Sequence, residues 1–165
     1  MRWITIVLCG LACAVPCVQG ADPSVFVSIP PQRWLLRQLA GQTVAVEMLL
    51  QPGETPHGFD PTGRRLAALA GAEAWFTIGL PFEKVLLPKA RGARPGLKVY
   101  AMDRDIPRRA APNHFHDEDA HPNRHEHAHE GSDPHLWLTP ANMTLMATNA
   151  CRALSELFPD QGNAY

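Results

Sequence analysis

Short apolar runs alternate with amphipathic stretches along most of the chain. Runs rich in β-branched and aromatic residues predict four strands, at Val25–Ile29, Val44–Leu50, Ala74–Gly79 and Leu97–Met102. We expect the second of these strands to be buried on both sides.

Amphipathic stretches between these runs predict the first two helices. One begins at Pro30-Pro31 and stops at Gly41. Its expected inward face carries Trp34, Leu35 and Leu39. The next begins with Asp60 as N-cap and Pro61 as first helical residue, and it ends at Gly71.

Two further helices follow the third strand and the long polar segment. Pro81–Ala90 is predicted to turn Phe82, Val85 and Leu86 inward. The last helix starts at the cap pair Thr139-Pro140 and keeps a 3.6-residue apolar period until Pro159. The order predicts an α/β fold, with a four-stranded, mainly parallel sheet and helices on both faces. Ligands of such sheets bind beyond the carboxyl ends of the strands.

Length and charge limit the class of protein. The chain has 165 residues and a net charge of −1, so it is long enough for one domain with a core. There is no basic excess to attract nucleic acid, and we expect none as a partner.

The first twenty residues predict an export signal. Met1 and Arg2 precede an apolar run too short to anchor in a bilayer, and Val18-Gln19-Gly20 suits cleavage after Gly20. We therefore expect a periplasmic protein, with a lipid anchor at Cys13 as the less favoured alternative. Cleavage would leave Cys151 as the one thiol, at a position that reads as a small core residue.

Histidine is concentrated in one place. Seven of the eight histidines lie between residues 114 and 135, among many carboxylates. Six of them fall in residues 103–133, which we interpret as a disordered loop that binds zinc loosely in interchangeable ligand sets: His114, His116, His121, His125, His127 and His129. The alternative is a solvated insertion without a specific role.

His57 and His135 differ from the loop histidines because structured sequence flanks them. His57 lies in "TPHGFDP" after the second strand, and His135 lies in "SDPHLWLTP" beyond the fourth. Rigid flanks suit a tight metal site, and we expect both imidazoles to meet at one rim of the sheet as zinc ligands.

The chain also resembles a known family. The motifs "PGETPHGFDPT", "IGLPFE" and "DPHLWLTP", in this order, are similar to those of the periplasmic zinc-binding solute-binding proteins of ABC-type importers, and the likeness covers residues 25–159. The resemblance implies two (β/α)₄ lobes joined by a long helix, with zinc between them. It implies that the first lobe supplies His57 and His135, that an ABC permease is the partner, and that no catalysis occurs.

The same resemblance implies a boundary for each part. Residues 21–102 and 134–159 would form one lobe, and residues 160–165 would start the linking helix. The second lobe's ligands would lie beyond Tyr165, so we expect a truncated monomer with much weaker zinc binding. A periplasmic zinc chaperone is a further conceivable partner.

Other readings stay open. The loop alone could serve as a zinc buffer, or the chain could belong to the manganese-binding branch of the family. A zinc hydrolase is disfavoured, because the pair His114 and His116 lies in sequence without structural flanks. Glu83 and Trp137 are candidates for contacts behind the ligands, with helix-dipole and packing roles as alternatives. Arg64 and Arg65 read as a solvated helix face.

Overall fold

The computed structural model describes residues 23–56, 58–109 and 133–165. The predicted export signal, Cys13, His57 and the six loop histidines lie outside these ranges. Among the described residues, no helix combines the length and the apolar character needed to cross a membrane.

Four strands alternate with helices, as predicted. They are β1 (Ser24–Val27), α1 (Pro30–Ala40), β2 (Ala45–Met48), α2 (Gly63–Gly71), β3 (Ala74–Thr77), α3 (Pro81–Ala93) and β4 (Lys98–Ala101). A 3₁₀ turn (Leu136–Leu138), α4 (Pro140–Leu157) and a second 3₁₀ segment (Pro159–Ala164) follow. The second 3₁₀ segment includes most of residues 160–165, where the linking helix was expected to start.

All strand pairs are parallel, and the strand order is β2-β1-β3-β4. From the central strand β1 the chain continues to the edge strand β2, and from the central strand β3 it continues to the opposite edge strand β4. Helix α1 packs against α4, and α2 packs against α3. With right-handed crossovers these two pairs cover opposite faces of the sheet, which confirms the α/β lobe predicted from the sequence.

The expectation that the second strand is buried on both sides is wrong. β2 is an edge strand, and Glu47 at its centre is exposed. Nothing in its local sequence encodes strand order, and only Val46 and Met48, which share one side of the strand, are buried in it.

The inward faces of α1 and α3 agree only in part with the prediction, since Leu35, Phe82 and Leu86 are buried as expected but Trp34 and Val85 are not. Trp34 is 58% exposed and Val85 is 66% exposed. The buried positions instead include the polar residues Gln32 and Glu83, each the third residue of its helix. Each side chain accepts a hydrogen bond from the backbone N–H just before its helix, Ile29 at 3.2 Å and Leu80 at 2.8 Å.

Two helix starts show where capping signals succeed and fail. Thr139 caps α4 as predicted, its Oγ1 accepting from the Asn142 N–H at 3.3 Å. α2 begins two residues later than predicted, because Thr62 rather than Asp60 is its N-cap. The Asp60 carboxylate instead pairs with Lys89 of α3 at 2.9 Å.

Candidate metal site

The strand order sets a geometric problem for the two predicted ligands. His57 follows β2, and His135 follows the long connection after β4, and these are the two edge strands. Three strand spacings separate the edges by about 14 Å, whereas each imidazole nitrogen must approach zinc to about 2 Å. The two histidines can share a cation only if their connections run inward across the ends of β1 and β3.

The connection after β2 does run inward. Leu49 and Leu50 donate backbone hydrogen bonds to Val27 and Ser28, which keeps the chain beside the end of β1. Further on, the ring of Phe59 packs edge-to-face on Phe82, with centroids 5.1 Å apart. Phe82 belongs to the first turn of α3, so the segment directly after position 57 is fixed at the carboxyl end of β3.

The connection after β4 reaches the same place. Arg108 donates from Nη2 to the carbonyl oxygen of Ile78 at 2.7 Å and to Asp103 Oδ2 at 2.5 Å. Gly79 has φ +76°, and a Cβ built there would collide with the Arg108 guanidinium. The returning end of this connection is joined to Arg109, whose carbonyl oxygen accepts from the Asp133 N–H at 2.8 Å.

Both connections are therefore anchored on residues 78–82, which run from the end of β3 into the first turn of α3. The anchors stand close in sequence to the predicted ligands, since Phe59 is two residues after His57 and Asp133 is two residues before His135.

His135 is oriented by a carboxylate that the sequence reasoning missed. Its Nδ1 lies 2.7 Å from Asp133 Oδ1, and the same oxygen accepts from the backbone N–H of His135 at 2.9 Å. This backbone hydrogen bond, with the imidazole as second cause, holds the pKa of Asp133 below its usual value. An Nδ1 held by a carboxylate presents Nε2 to a metal, the arrangement common behind zinc-bound histidines. The D-x-H spacing in "DPH" was the available sequence signal.

The neighbours of His135 fix its ring on the other side. Trp137 meets it edge-to-face, with centroids 5.3 Å apart, while Leu136 is buried in the core. The His135 side chain itself keeps 56% of its exposure. It lines an open cleft of about 440 Å³ together with Asp133 and Leu138. The imidazole is thus held by Asp133 and Trp137, and the rest of its surface is open to the cleft.

Glu83, in the first turn of α3, is bonded to the turn that anchors both connections. Its carboxylate accepts hydrogen bonds from Ser28 Oγ, from the Ile78 N–H at 3.1 Å and from the Leu80 N–H at 2.8 Å. Ser28 Oγ in turn accepts from Trp75 Nε1 at 3.1 Å. Burial raises the pKa of Glu83, although these hydrogen bonds oppose the shift. In the described part of the chain Glu83 thus holds the β3–α3 turn in shape, and its hydrogen bonds go to that turn and to Ser28, the residue after β1.

The described residues contain no cluster of three or more histidine, cysteine or acidic side chains able to hold a metal. What they define is a class of protein: a doubly wound α/β lobe with a carboxylate-oriented histidine at the ligand-binding edge of its sheet.

Comparison with known families agrees with this class. The sequence model of one protein family, the periplasmic zinc-uptake complex component A (ZnuA), matches residues 25–165. The chain belongs to this family.

Individual relatives are more distant. The zinc-binding lipoprotein AdcA of Streptococcus pneumoniae serotype 4 is 24% identical over 161 residues, which cover 96% of this chain and 32% of that protein. A putative metal-binding protein of Chlamydia trachomatis serovar D is 25% identical over 169 residues, which cover 100% of this chain and 55% of that protein. A crystal structure of a zinc-bound ZnuA deletion mutant is 32% identical, with a TM-score of 0.73, and covers 87% of this chain and 50% of that one. The chain therefore spans between a third and about half of the length of these relatives.

Proposed function

We propose that this chain is a metal-binding lobe of the zinc-binding component of an ABC-type importer, and that His57 and His135 are its zinc ligands. The observation that carries the proposal is the common anchor at residues 78–82. It draws both connections away from the edge strands toward one point.

The chemistry of the donors supports zinc as the cargo. Neutral imidazole nitrogen is a preferred zinc ligand, whereas manganese favours carboxylate and water oxygen. A nitrogen presented by His135 with a carboxylate behind it fits zinc, and the family's name and the zinc-bound relative agree.

The histidine-rich segment, in this proposal, supplies auxiliary ligands. His114, His116, His121, His125, His127 and His129 would collect zinc at lower affinity and pass it to the primary pair. An ABC permease would be the receiving partner, and the site of action would be the periplasm after removal of residues 1–20. The competing function is a buffer, in which the loop alone holds metal.

Metal titration of the exported chain tests the primary pair. Zinc affinity is measured by competition with a chromophoric chelator, with Mn²⁺ as a second metal. His135→Ala and His57→Ala should each weaken the tightest step by at least about 100-fold, since even changes behind a ligand cost about 10–100-fold. His121→Ala, a loop control, should leave that step unchanged.

The same titration separates transport from buffering. If the tightest step survives the double variant His57→Ala/His135→Ala and disappears when the six loop histidines are replaced, the primary site is wrong and the buffer is correct. Tighter binding of Mn²⁺ than of Zn²⁺ would contradict the choice of cargo.

A further inference from the structure

Arg65, on the first turn of α2, contacts the chain on both sides of position 57. Its Nη1 lies 3.0 and 2.8 Å from the two carboxylate oxygens of Glu54. Its guanidinium carbon lies 5.7 Å from the centroid of the Phe59 ring. Glu54 is three residues before His57, and Phe59 is two residues after it. One side chain therefore links the two ends of the segment that carries the proposed ligand.

Both partners of Arg65 are themselves fixed. Glu54 Oε2 accepts from the Gln51 N–H at 2.8 Å, and the Glu54 N–H donates to the Gln51 carbonyl oxygen at 3.0 Å, which closes a turn after β2. Phe59 is held on Phe82 of α3. The guanidinium thus joins a turn anchored on one strand to an aromatic pair anchored on the next helix.

The backbone of Arg65 is equally constrained. Thr62 Oγ1 accepts from the Arg65 N–H at 3.3 Å and so caps α2 at this residue. Only 22% of the Arg65 side chain is exposed, while the neighbouring Arg64 is exposed. The expectation that both arginines form a solvated face is therefore wrong for Arg65.

We infer that Arg65 is a positioning residue for His57: it bridges Glu54 and Phe59 and so holds the intervening segment in the geometry that metal binding needs. The inference rests on the proposed function, in which His57 is a ligand. The physical reason is that a ligand must be held to about 0.5 Å before the metal arrives. A planar guanidinium can bind a carboxylate through two oxygens and lie over a ring at the same time, which an ammonium cannot do equally well.

The test uses Co²⁺ as the probe, because its visible absorption reports ligand geometry as well as affinity. In the exported chain, Arg65→Gln should weaken Co²⁺ binding about 10–100-fold and alter the spectrum, as loss of support behind a ligand does. Arg64→Gln is the matched control and should change affinity by no more than about twofold, as an exposed substitution does. Arg65→Lys keeps the charge beside Glu54 and should recover part of the affinity.

A double-mutant cycle shows whether Arg65 acts through His57. In a His57→Ala background, Arg65→Gln should weaken Co²⁺ binding by no more than about twofold, because the group it positions is gone. A full additional loss in that background would overturn the inference. Equal affinities of Arg65→Gln and Arg64→Gln would overturn it too, and would leave the proposed ligands standing.

Failure of the proposed function has a different signature. If His57→Ala itself leaves Co²⁺ affinity and spectrum unchanged, His57 is not a ligand, and both ideas fail together. Hydrogen exchange without metal provides a readout independent of binding. Arg65→Gln should speed amide exchange in residues 51–62 relative to Arg64→Gln, and unchanged exchange there would count against the inference.

Discussion

Replacing Glu83 tests whether one buried carboxylate holds the β3–α3 turn. The side chain is 4% exposed and accepts hydrogen bonds from Ser28 Oγ and from the backbone N–H groups of Ile78 and Leu80. Glu83→Ala removes the acceptor and leaves all three donors buried. Glu83→Gln keeps the shape but offers one oxygen, with an amide nitrogen where the second oxygen was.

The expected magnitude follows from these contacts. Each buried donor left unsatisfied costs about 1–3 kcal/mol. Removing the carboxylate also relieves the cost of burying its charge, so we take the lower end for each donor. Glu83→Ala should then lower the free energy of unfolding by about 3 kcal/mol, and Glu83→Gln by about 1–2 kcal/mol. A domain has only about 5–15 kcal/mol in total, so the first loss is large.

Urea unfolding at neutral pH, followed by circular dichroism, measures the loss. A change of 3 kcal/mol should move the midpoint by about 1–3 M. Glu73→Gln is the control, because Glu73 is exposed, and it should stay within about 0.5 kcal/mol of wild type. If Glu83→Ala behaves like this control, the claim that the buried carboxylate holds the β3–α3 turn is refuted.

The stability difference between wild type and Glu83→Gln should also change with pH in a predicted direction. Burial raises the pKa of Glu83 above its usual value of 4.5, against the opposing hydrogen bonds. A carboxyl group with a raised folded-state pKa stabilises most below pH 4.5, and this contribution is lost as the pH rises through the folded-state pKa. The stability difference between wild type and Glu83→Gln should therefore narrow as the pH rises above 4.5. A widening difference would contradict this sign.

Two further predictions concern the core and the sheet edge. Leu36→Ala should cost about 2–5 kcal/mol in urea unfolding because Leu36 is fully buried, whereas Trp34→Ala on the same helix should cost under about 0.5 kcal/mol; equal losses would show that the buried face of α1 is misassigned. Burial, and next the hydrogen bond to Glu156, raises the pKa of Tyr100 to about 12. The 295 nm absorbance difference between wild type and Tyr100→Phe should therefore titrate near pH 12, and a midpoint near 10, the usual value, would contradict the contact.

The local parts of the fold could be read from the sequence. β-branched runs marked the four strands, and Thr139-Pro140 marked the start of α4, because these preferences act within a few residues. Asp60-Pro61 looked like an equally good helix start, yet Asp60 pairs with Lys89 of another helix. A residue whose side chain finds a distant partner is outside the reach of local rules.

Trp34 and Val85 were wrongly predicted to face inward for a related reason, although Leu35, Phe82 and Leu86 are buried as predicted. Apolar counting favoured Trp34 and Val85, but the sheet ends expose backbone N–H groups that need acceptors. Gln32 and Glu83 turn inward to supply them. Similarly, the strand order placed the two predicted ligands on opposite edges, and only the contacts of Phe59 and Arg108 reveal how their connections return. The wider site, including His57, stays a prediction.

The hydrogen bond between Arg109 and Asp133 brings together the two residues that flank the histidine-rich segment. The segment between them therefore starts and ends at the same place on the lobe, so its length does not determine the position of His135. Doubling such an insertion adds only about 0.6 kcal/mol of closure entropy. In the proposed function, the number of loop histidines, and with it the amount of zinc that they hold, could therefore change in evolution without moving His135.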